Sequence, residues 1–160
     1  MTEEDFTRRV MAMKNQLYHV GRAMLWNDED AADAVQEAML TAWKKRRGLR
    51  DEDKFEAWFM RVFLNRCRDM RRGQIRRREA MEAAASRYDD AAPEPGDALA
   101  TLEALPEKLR LPALLFYVEG YSQKDVARML GVEPEQVNTR LRHARKRMRA
   151  ALTEGGDSDD

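Results

Sequence analysis

The stretch that decides the fold is residues 121–149, YSQKDVARMLGVEPEQVNTRLRHARKRMR, because it predicts two helices joined by a tight turn. Ser122 is a good N-cap for the first helix, and Asp125, three residues later, completes a capping box. Gly131 stands where that helix should end in a left-handed conformation, which glycine adopts without strain from a Cβ atom. Pro134 suits the first turn of the second helix, where no amide donor is needed. This layout is that of a helix-turn-helix.

The second predicted helix has one apolar side and one strongly polar side. Apolar residues recur every three to four positions and predict a buried stripe of Val137, Leu141, Ala144 and Met148. The polar side carries Gln136, Asn138, Thr139, Arg140, Arg142, His143, Arg145, Lys146, Arg147 and Arg149. Amides and guanidinium groups can reach base edges in a DNA groove, and the other basic groups suit phosphates. This helix is therefore a candidate recognition helix, although a solvated basic face on an ordinary amphipathic helix gives the same pattern.

Charge is unevenly distributed along the chain although its total is zero. The 160 residues include 29 basic and 29 acidic side chains. Residues 99–152 hold ten Lys or Arg and six Asp or Glu, whereas residues 153–160 hold four acidic residues and no basic one. Because charges act within about 8–10 Å at physiological ionic strength, the neutral total does not exclude a nucleic-acid partner.

The composition indicates a charge-rich helical protein with one ordinary core or two small ones. Its 43% hydrophobic content is too high for a fully disordered chain. Cys67 is the single cysteine, which excludes an intrachain disulfide and is best interpreted as a small packed residue. The N-terminal MTEEDF lacks the pattern of a signal peptide, and no apolar run approaches the length that spans a membrane. We therefore expect a cytoplasmic protein that does not span a membrane.

Three helices are predicted in residues 1–75. Apolar residues at steps of three and four predict a first helix from about Glu3 to Leu25, which Trp26-Asn27-Asp28 then breaks. Asn27 or Asp28 can cap the second helix, EDAADAVQEAMLTAW, whose small apolar residues favour close packing. The third helix is predicted to begin near Asp53, with a buried stripe of Phe55, Trp58, Phe59, Val62, Phe63, Cys67 and Met70. Any of its aromatic side chains that stay exposed could stack on unpaired bases.

Helical periodicity fades at residues 76–98, where charged and alanine runs lead into prolines and a glycine. These residues are predicted to form a flexible linker. Residues 99–152 should form a second helical domain, in which Pro112 is expected to kink or delay the helix before the helix-turn-helix. Residues 153–160 are predicted to be an acidic, disordered tail. The predicted fold is all-α, with two small helical domains joined by a flexible linker and the helix-turn-helix in the second.

Two segments together resemble the extracytoplasmic-function (ECF) group of bacterial RNA polymerase sigma factors, within the sigma-70 family. The first, DEDAADAVQEAMLTAW followed by FEAWFMRVFLNRCRDMRR, is similar to the family's second conserved region. The other, ALPEKLRLPALLFYVEGYSQKDVARMLGVEPEQVNTRLRHARKRMRAAL, is similar to the fourth. The resemblance covers nearly all of residues 6–152. It implies a region 2-like domain at residues 1–75 and a region 4-like domain at residues 99–152.

The resemblance implies three sets of binding residues. The set expected to dock on the clamp helices of the largest catalytic subunit of RNA polymerase is Asp33, Gln36, Glu37 and Leu40. The set expected to capture and melt the minus-ten promoter element is Arg47, Arg50, Lys54, Phe55, Trp58, Arg61, Asn65, Arg68, Arg71 and Arg72. The set expected at the minus-thirty-five element is Gln136, Asn138, Thr139, Arg140, Arg142, His143, Arg145, Lys146 and Arg149. Asn138, Thr139, Arg142 and His143 are expected to face bases, while Arg140, Arg145, Lys146 and Arg149 hold phosphates.

The resemblance therefore implies a transcription-initiation subunit that binds RNA polymerase core and promoter DNA. It also implies control by an anti-sigma factor in a stress or envelope response. The sequence supplies no nucleophile-base pair, phosphate loop or metal-ligand set, so no enzymatic activity, cofactor or small-molecule substrate is expected. Two alternatives remain open. An ordinary helix-turn-helix regulator would dimerise through its N-terminal helices on a palindromic site, and a sigma-like decoy would titrate a regulatory partner without touching DNA.

Overall fold

A computed structural model of the protein describes residues 1–25, 27–84 and 98–156, apart from the side chains of residues 82–84, 98–100 and 154–156. Every regular element in these ranges is helical, which confirms the predicted all-α class. The chain divides into two compact units, which are described separately. The helices of the N-terminal unit are α1 (Glu3–Ala12), α2 (Lys14–Met24), α3 (Asp28–Lys45) and α4 (Phe55–Ala84). Those of the C-terminal unit are α5 (Ala98–Glu103), α6 (Glu107–Ala113), α7 (Gln123–Leu130, of which residues 123–127 belong to this unit) and α8 (Pro134–Gly156).

The core of the N-terminal unit joins small residues of α3 to large residues of α4. The buried side of α3 consists of Ala31, Ala34, Ala38 and Ala42, all fully inaccessible to solvent. Opposite them, α4 buries Phe59, Phe63 and Leu64, each of which contributes about 1.5–3 kcal/mol through the hydrophobic effect. The predicted buried stripe of α4 is therefore confirmed at its centre, although Trp58, Val62 and Met70 are only half-buried.

An aromatic cluster closes one end of this core. The Phe6 ring of α1 lies edge-on to Trp43 and Phe55, with ring centroids 5.2 and 5.7 Å apart. Phe55 also stacks on Phe59 at 5.8 Å. Edge-to-face and offset ring contacts of this kind add about 0.5–1.5 kcal/mol per pair to the burial of the rings. The cluster therefore connects α1, α3 and α4.

The helix predicted from Glu3 to Leu25 is wrong as a single element, because the structure interrupts it at Met13. Met13 adopts φ −93° and ψ 4°, and its amide donates to the Val10 carbonyl three residues back at 2.9 Å. Neither proline nor glycine stands at this position, so the local sequence carries no signal for the break. The Met13 side chain is buried in the core at the point where the helix is interrupted.

Polar contacts hold the later turns of α4 against the corner between α2 and α3. Arg71 Nη1 donates to the Met24 carbonyl at 2.6 Å, near the C-terminus of α2. The buried Gln74 amide donates to the Asp30 carboxylate in the first turn of α3. The predicted N-cap Asn27 is confirmed, since its side-chain oxygen accepts from the Asp30 amide at 2.7 Å. These hydrogen bonds thus mark the start of α3 and hold the later turns of α4 beside it.

The helix-turn-helix is confirmed in the C-terminal unit. Ser122 Oγ accepts from the Asp125 amide at 3.1 Å, as an N-cap of α7 should. Gly131 has φ +70°, and the Val132 amide then donates to the Ala127 carbonyl at 3.0 Å, which ends α7 in a Schellman motif. Pro134 is the first residue of α8. The predicted inward positions Val137, Leu141 and Ala144 are fully buried, and Met148 is half-buried.

Pro112 does not delay the helix that contains it. α6 begins at Glu107, and Pro112 lies buried in its second turn. The backbone then widens into a π-helical turn, Leu114–Val118, in which the Glu119 amide donates to the Leu114 carbonyl at 3.0 Å. Since proline removes one helical hydrogen bond, a wider turn directly after it is a reasonable accommodation. Gly120, at φ +78°, ends this segment, as predicted for Glu119-Gly120.

Two predicted boundaries differ from the helix ends. α4 continues to Ala84, so residues 76–84 of the predicted linker are helical. Residues 85–97 of that linker lie outside the described residues. α8 continues to Gly156, so the first residues of the predicted acidic tail extend the helix. Residues 157–160 again lie outside the description.

Two helical glycines of the N-terminal unit give a matched test of the core. A methyl group on Gly21 would lie 3.2 Å from both Ala31 Cβ and Phe63 Cζ, whereas one on Gly73 would meet only Arg77 Nη1 at 3.9 Å. We expect Gly73→Ala to stabilise the unit by about 0.5–1 kcal/mol through helix propensity. Gly21→Ala should destabilise it, because overpacking of a rigid core costs about 1–3 kcal/mol.

The measurement is urea unfolding followed by tryptophan fluorescence, because all three tryptophans precede residue 75. Equal stabilisation by the two substitutions would contradict the close approach of α2 to α3.

Candidate functional site

The candidate recognition surface is the outward side of α8. Because Val137, Leu141 and Ala144 point inward, the residues between them are turned toward solvent. The exposed members of the predicted set are Gln136, Asn138, Arg142, His143, Arg145, Lys146 and Arg149. Thr139 and Arg140 are half-buried, and Arg147 is exposed as well. The structure therefore brings the amide, hydroxyl and guanidinium groups of the predicted reading positions onto one accessible helix face.

Gln136 has a structural role that the sequence analysis did not assign. Its Oε1 accepts from the Glu133 amide at 2.9 Å, while the Glu133 carbonyl accepts from the Gln136 amide at 3.0 Å. This places Glu133 at the N-cap and Gln136 at the third helical position, where the Gln136 side chain makes one of the two bonds of a capping box. The sequence contained a signal for this cap, because a glutamine three residues after the N-cap is typical of a helix start. The oxygen of Gln136 is occupied, and its NH₂ group is the part that remains to meet a partner.

Arg145 and Arg149 lie on a different part of α8 from Arg142. Arg145 Nη1 donates to the Tyr117 hydroxyl at 2.8 Å. Both arginines line a mainly apolar groove of about 720 Å³ in the C-terminal unit, together with Leu102, Tyr117, Val118, Met148, Leu152 and Thr153. Arg142 does not line this groove. The phosphate contacts of Arg145 and Arg149 remain predictions. For Arg145, a phosphate would compete with the Tyr117 hydroxyl for the guanidinium group.

The candidate polymerase-docking surface is the outward side of α3. Asp33, Gln36, Glu37 and Leu40 are all exposed. Leu40 is 64% exposed, a high value for a leucine, and it is flanked by the carboxylates and the amide of this face. An exposed leucine among polar groups is what a partner with an apolar contact point would use. The four residues share one face, as their spacing predicted.

Glu37 is already engaged within the chain. Its Oε2 lies 2.6 Å from Arg66 Nε of α4, an ion-pair distance, although the N–H direction does not meet the angle of a hydrogen bond. Both side chains are partly exposed, so the pair contributes at most about 1 kcal/mol to stability. Arg66 was not assigned a role from the sequence. Its connection to Glu37 depends on the α3–α4 packing, which residue spacing along one helix cannot reveal.

The candidate minus-ten surface consists of the loop before α4 and the outward side of α4. Arg47, Arg50, Lys54, Arg61, Asn65 and Arg72 are exposed, and Trp58, Arg68 and Arg71 are half-buried. Lys54 Nζ lies 4.0 Å from Asp51 Oδ2, and both side chains are about half exposed, so this weak pair leaves the lysine accessible. Trp58 is the aromatic residue of the predicted set that stays partly exposed.

Two members of that set have core functions instead of a free surface. Phe55 is 2% exposed and packs against Phe6 and Phe59. Its ring is not available for stacking on a base in this conformation. Arg71 is held by the Met24 carbonyl. This bond belongs to the α2–α4 contact, which the sequence pattern did not reveal, and the predicted DNA contact of Arg71 stays a prediction.

Two other kinds of site are absent from the described parts of the chain. Within residues 1–25, 27–84 and 98–156, no helix is long and apolar enough to cross a membrane. The same residues contain no group of three or more His, Cys, Asp or Glu side chains placed to hold a metal ion.

The sequence matches two family descriptions, in the order that the two units have. Residues 10–77 match sigma-70 region 2. Residues 96–148 match sigma-70 region 4. The first match contains the candidate docking and minus-ten surfaces, and the second contains the helix-turn-helix.

Similar curated proteins are RNA polymerase sigma factors. The ECF sigma factor SigM of Mycobacterium tuberculosis is 33% identical over 141 residues, which cover 86% of this chain and 71% of SigM. The probable sigma factor RfaY of Xanthomonas campestris pv. campestris is 29% identical over 169 residues, covering 98% of this chain. This chain spans 42% of the length of RfaY.

Two solved structures share the fold. CnrH, in complex with the cytosolic domain of CnrY, has a TM-score of 0.71 and 26% identity, covering 99% of this chain and 92% of that one. The sigma factor RpoE of Bartonella quintana, in complex with the anti-sigma factor NepR, has a TM-score of 0.71. At 21% identity, and with 98% and 99% of the two chains covered, the second likeness shows the fold alone.

Proposed function

We propose that this chain, which belongs to the ECF group of the sigma-70 family of RNA polymerase sigma factors, directs promoter-specific initiation of transcription. The observation that carries the proposal is the joint presence of both conserved regions in one chain, each with its expected polar face exposed. An ordinary helix-turn-helix regulator has no need for the first region, and a decoy has no need for the basic outward face of α8. The protein would act in the cytoplasm, where RNA polymerase is.

The N-terminal unit is proposed to hold the polymerase with α3. Asp33, Gln36 and Glu37 would meet basic and polar groups of the clamp helices, while Leu40 supplies an apolar contact. Burying one exposed leucine against a partner is worth about 1.5–3 kcal/mol, which is enough to make it an important contact. The ion pair to Arg66 is weak enough to yield to a charged partner.

The minus-ten element is proposed to lie along the outward side of α4 and the loop before it. Arg61, Arg68 and Arg72 supply positive charge, Asn65 an amide, and Trp58 an aromatic edge for an unpaired base. Stacking of a base on an aromatic side chain is worth about 1–3 kcal/mol and tolerates any base. Sequence preference would then depend on how bases fit beside the ring.

The C-terminal unit is proposed to read the minus-thirty-five element with α8. Asn138, Thr139, Arg142 and His143 would contact base edges in the major groove, and Arg140 and Lys146 would contact phosphates. The NH₂ group of Gln136, at the start of the helix, adds a donor. Because the polymerase and the N-terminal unit share the binding, the modest basic excess of residues 99–152 is sufficient.

Control by an anti-sigma factor is proposed because RpoE was solved with the anti-sigma factor NepR, and CnrH with the cytosolic domain of CnrY. Co-expression with the product of a neighbouring membrane-protein gene should yield a complex that no longer binds core polymerase. Unchanged binding to core in the presence of every neighbouring gene product would contradict this part of the proposal.

Leu40→Asp should reduce affinity for core polymerase about tenfold or more, because it places a charge where an apolar contact is proposed. Stability should change by less than about 0.5 kcal/mol, since the side chain is exposed. Met11→Asp is the matched control: Met11 is 53% exposed on α1, outside the proposed surface. Fluorescence anisotropy with labelled protein and purified core gives both affinities, and equal losses in the two variants would refute the docking surface.

Arg142→Ala should weaken promoter binding by about 1–3 kcal/mol and relax the preference at one base pair of the minus-thirty-five element. Lys108→Ala removes the same charge from an exposed position of α6 and should leave that preference intact. Holoenzyme binding to wild-type and base-substituted promoters measures the preference. An Arg142→Ala variant that loses affinity equally for every sequence would place Arg142 on a phosphate and not on a base.

A further inference from the structure

The loop that joins α3 to α4 presents basic residues of the proposed minus-ten surface. It comprises residues 46–54, hereafter the α3–α4 loop, and contains two short 3₁₀ turns, Arg46–Gly48 and Glu52–Lys54. None of its side chains is buried, so apolar packing alone does not fix its shape. Its exposed members of the proposed minus-ten surface are Arg47, Arg50 and Lys54. The placement of these groups therefore depends on the polar contacts of the loop.

The first turn of the loop is held by the end of α3. Arg46 Nη1 donates to the Trp43 carbonyl at 2.7 Å, and the Arg46 guanidinium carbon lies 3.7 Å from the centroid of the Trp43 ring. The Leu49 amide donates to the Arg46 carbonyl at 3.1 Å. These contacts join residues three positions apart, so the start of the loop is determined locally.

The second turn is closed by its own hydrogen bonds. Asp51 Oδ1 accepts from the Asp53 amide, and the Asp51 carbonyl accepts from the Lys54 amide, both at 3.0 Å. Glu52 lies between these bonded residues. A contact that holds Glu52 in place therefore also holds the backbone of Lys54.

Arg9 of α1 makes such a contact from outside the loop. Its Nη1 donates to the Glu52 carbonyl at 2.9 Å, and its Nη2 donates to the Glu52 carboxylate at 3.2 Å. Two donors of one planar guanidinium group thus hold both the backbone and the side chain of Glu52. Arg9 precedes Glu52 by 43 positions, so this contact forms only when α1 packs beside the loop.

Arg9 is itself firmly placed. Its Nε donates to Asp5 Oδ2 at 3.1 Å, one helical turn earlier, and its guanidinium carbon lies 5.7 Å from the centroid of the Phe55 ring. That distance is within reach of a cation–π attraction. Each of the three side-chain nitrogens of Arg9 thus already faces an acceptor, which favours a positioning role over a direct contact with a phosphate.

We propose that Arg9 is a positioning residue for the minus-ten element, because it holds the second turn of the α3–α4 loop in the shape that presents Arg50 and Lys54 to DNA. This inference rests on the function proposed above. A loop that is already shaped loses less conformational entropy on binding, so more of the contact free energy appears as affinity. Arg9 acts through Glu52 and does not touch the DNA.

Arg8 provides a matched control for Arg9. It carries the same charge at the adjacent position, about 100° around the helix. Its side chain is 74% exposed and pairs with Asp5 of the same helix. Removing Arg8 therefore changes the net charge as removing Arg9 does, and it leaves the bonds from Arg9 to Glu52 in place.

The test compares holoenzymes that carry the wild-type chain, Arg9→Ala, Arg9→Lys or Arg8→Ala. The probe is a fluorescent single-stranded oligonucleotide with the minus-ten sequence of a promoter located by transcript-start mapping. A second oligonucleotide has the same bases in scrambled order. Dissociation constants are measured for both oligonucleotides, and the affinity of each chain for core polymerase is measured separately.

We expect Arg9→Ala to weaken binding of the minus-ten oligonucleotide about tenfold, because the loop must then be ordered during binding. Affinity for core should not change, since the proposed docking residues lie on α3, outside the loop. Arg9→Lys keeps the charge but lacks the fork of donors, so it should lose affinity for the oligonucleotide as well, by about threefold. Arg8→Ala should match the wild type in both measurements.

A coupling measurement separates positioning from direct contact. In a chain that already carries Arg50→Ala and Lys54→Ala, adding Arg9→Ala should change affinity for the minus-ten oligonucleotide by less than about twofold, because the groups that Arg9 positions are gone. An unchanged tenfold loss in this background would show that Arg9 contacts DNA itself, and it would overturn the proposal.

Three further results would also overturn it. The first is wild-type affinity of Arg9→Ala for the minus-ten oligonucleotide. The second is wild-type affinity of Arg9→Lys, because charge alone would then suffice. The third is an equal loss of affinity for core and for the oligonucleotide, because a general loss of structure would explain both. A wild-type holoenzyme that does not distinguish the minus-ten oligonucleotide from the scrambled one would instead refute the function on which the proposal rests.

Discussion

The N-terminal unit depends on the close packing of α3 against α4. Alanines on α3 allow the phenylalanines of α4 to approach its backbone, and Gly21 allows α2 to join them without a Cβ atom in the way. Once these inward faces are paired, the outward faces are determined. α3 must turn Asp33 and Leu40 to solvent, and α4 must turn Arg61, Asn65 and Arg72 to solvent. The binding surfaces are thus a consequence of how the core is packed.

The two units use different physical means to present their binding groups. Before α8, a turn with a positive φ at Gly131 and the bond from the Glu133 amide to the Gln136 side chain mark where the helix begins. In the N-terminal unit, contacts between residues distant in sequence position the helices, above all Arg71 with Met24 and Gln74 with Asp30. The first contacts join residues close in sequence, whereas the second require separate helices to pack together.

This difference explains how much could be predicted from the sequence. Ser122, Gly131 and Pro134 act within a few residues of their own position, so the helix-turn-helix was predicted correctly in detail. The outward faces of α3 and α8 followed from periodicity. The break at Met13 and the pairing of Glu37 with Arg66 depend on neighbours that are remote in sequence, and no local pattern contains them. Residues 76–84 were predicted as part of the linker because charge and alanine runs resemble one, whereas α4 continues to Ala84.

The central claim is that one chain gives RNA polymerase core the ability to choose a promoter. The most direct measurement is transcription in vitro from genomic promoter fragments, with core polymerase alone and with core plus this protein. The account predicts transcripts with defined start sites only when the protein is present, at promoters that core alone ignores. No initiation at any genomic promoter, together with binding of the free protein to a palindromic site as a dimer, would contradict it.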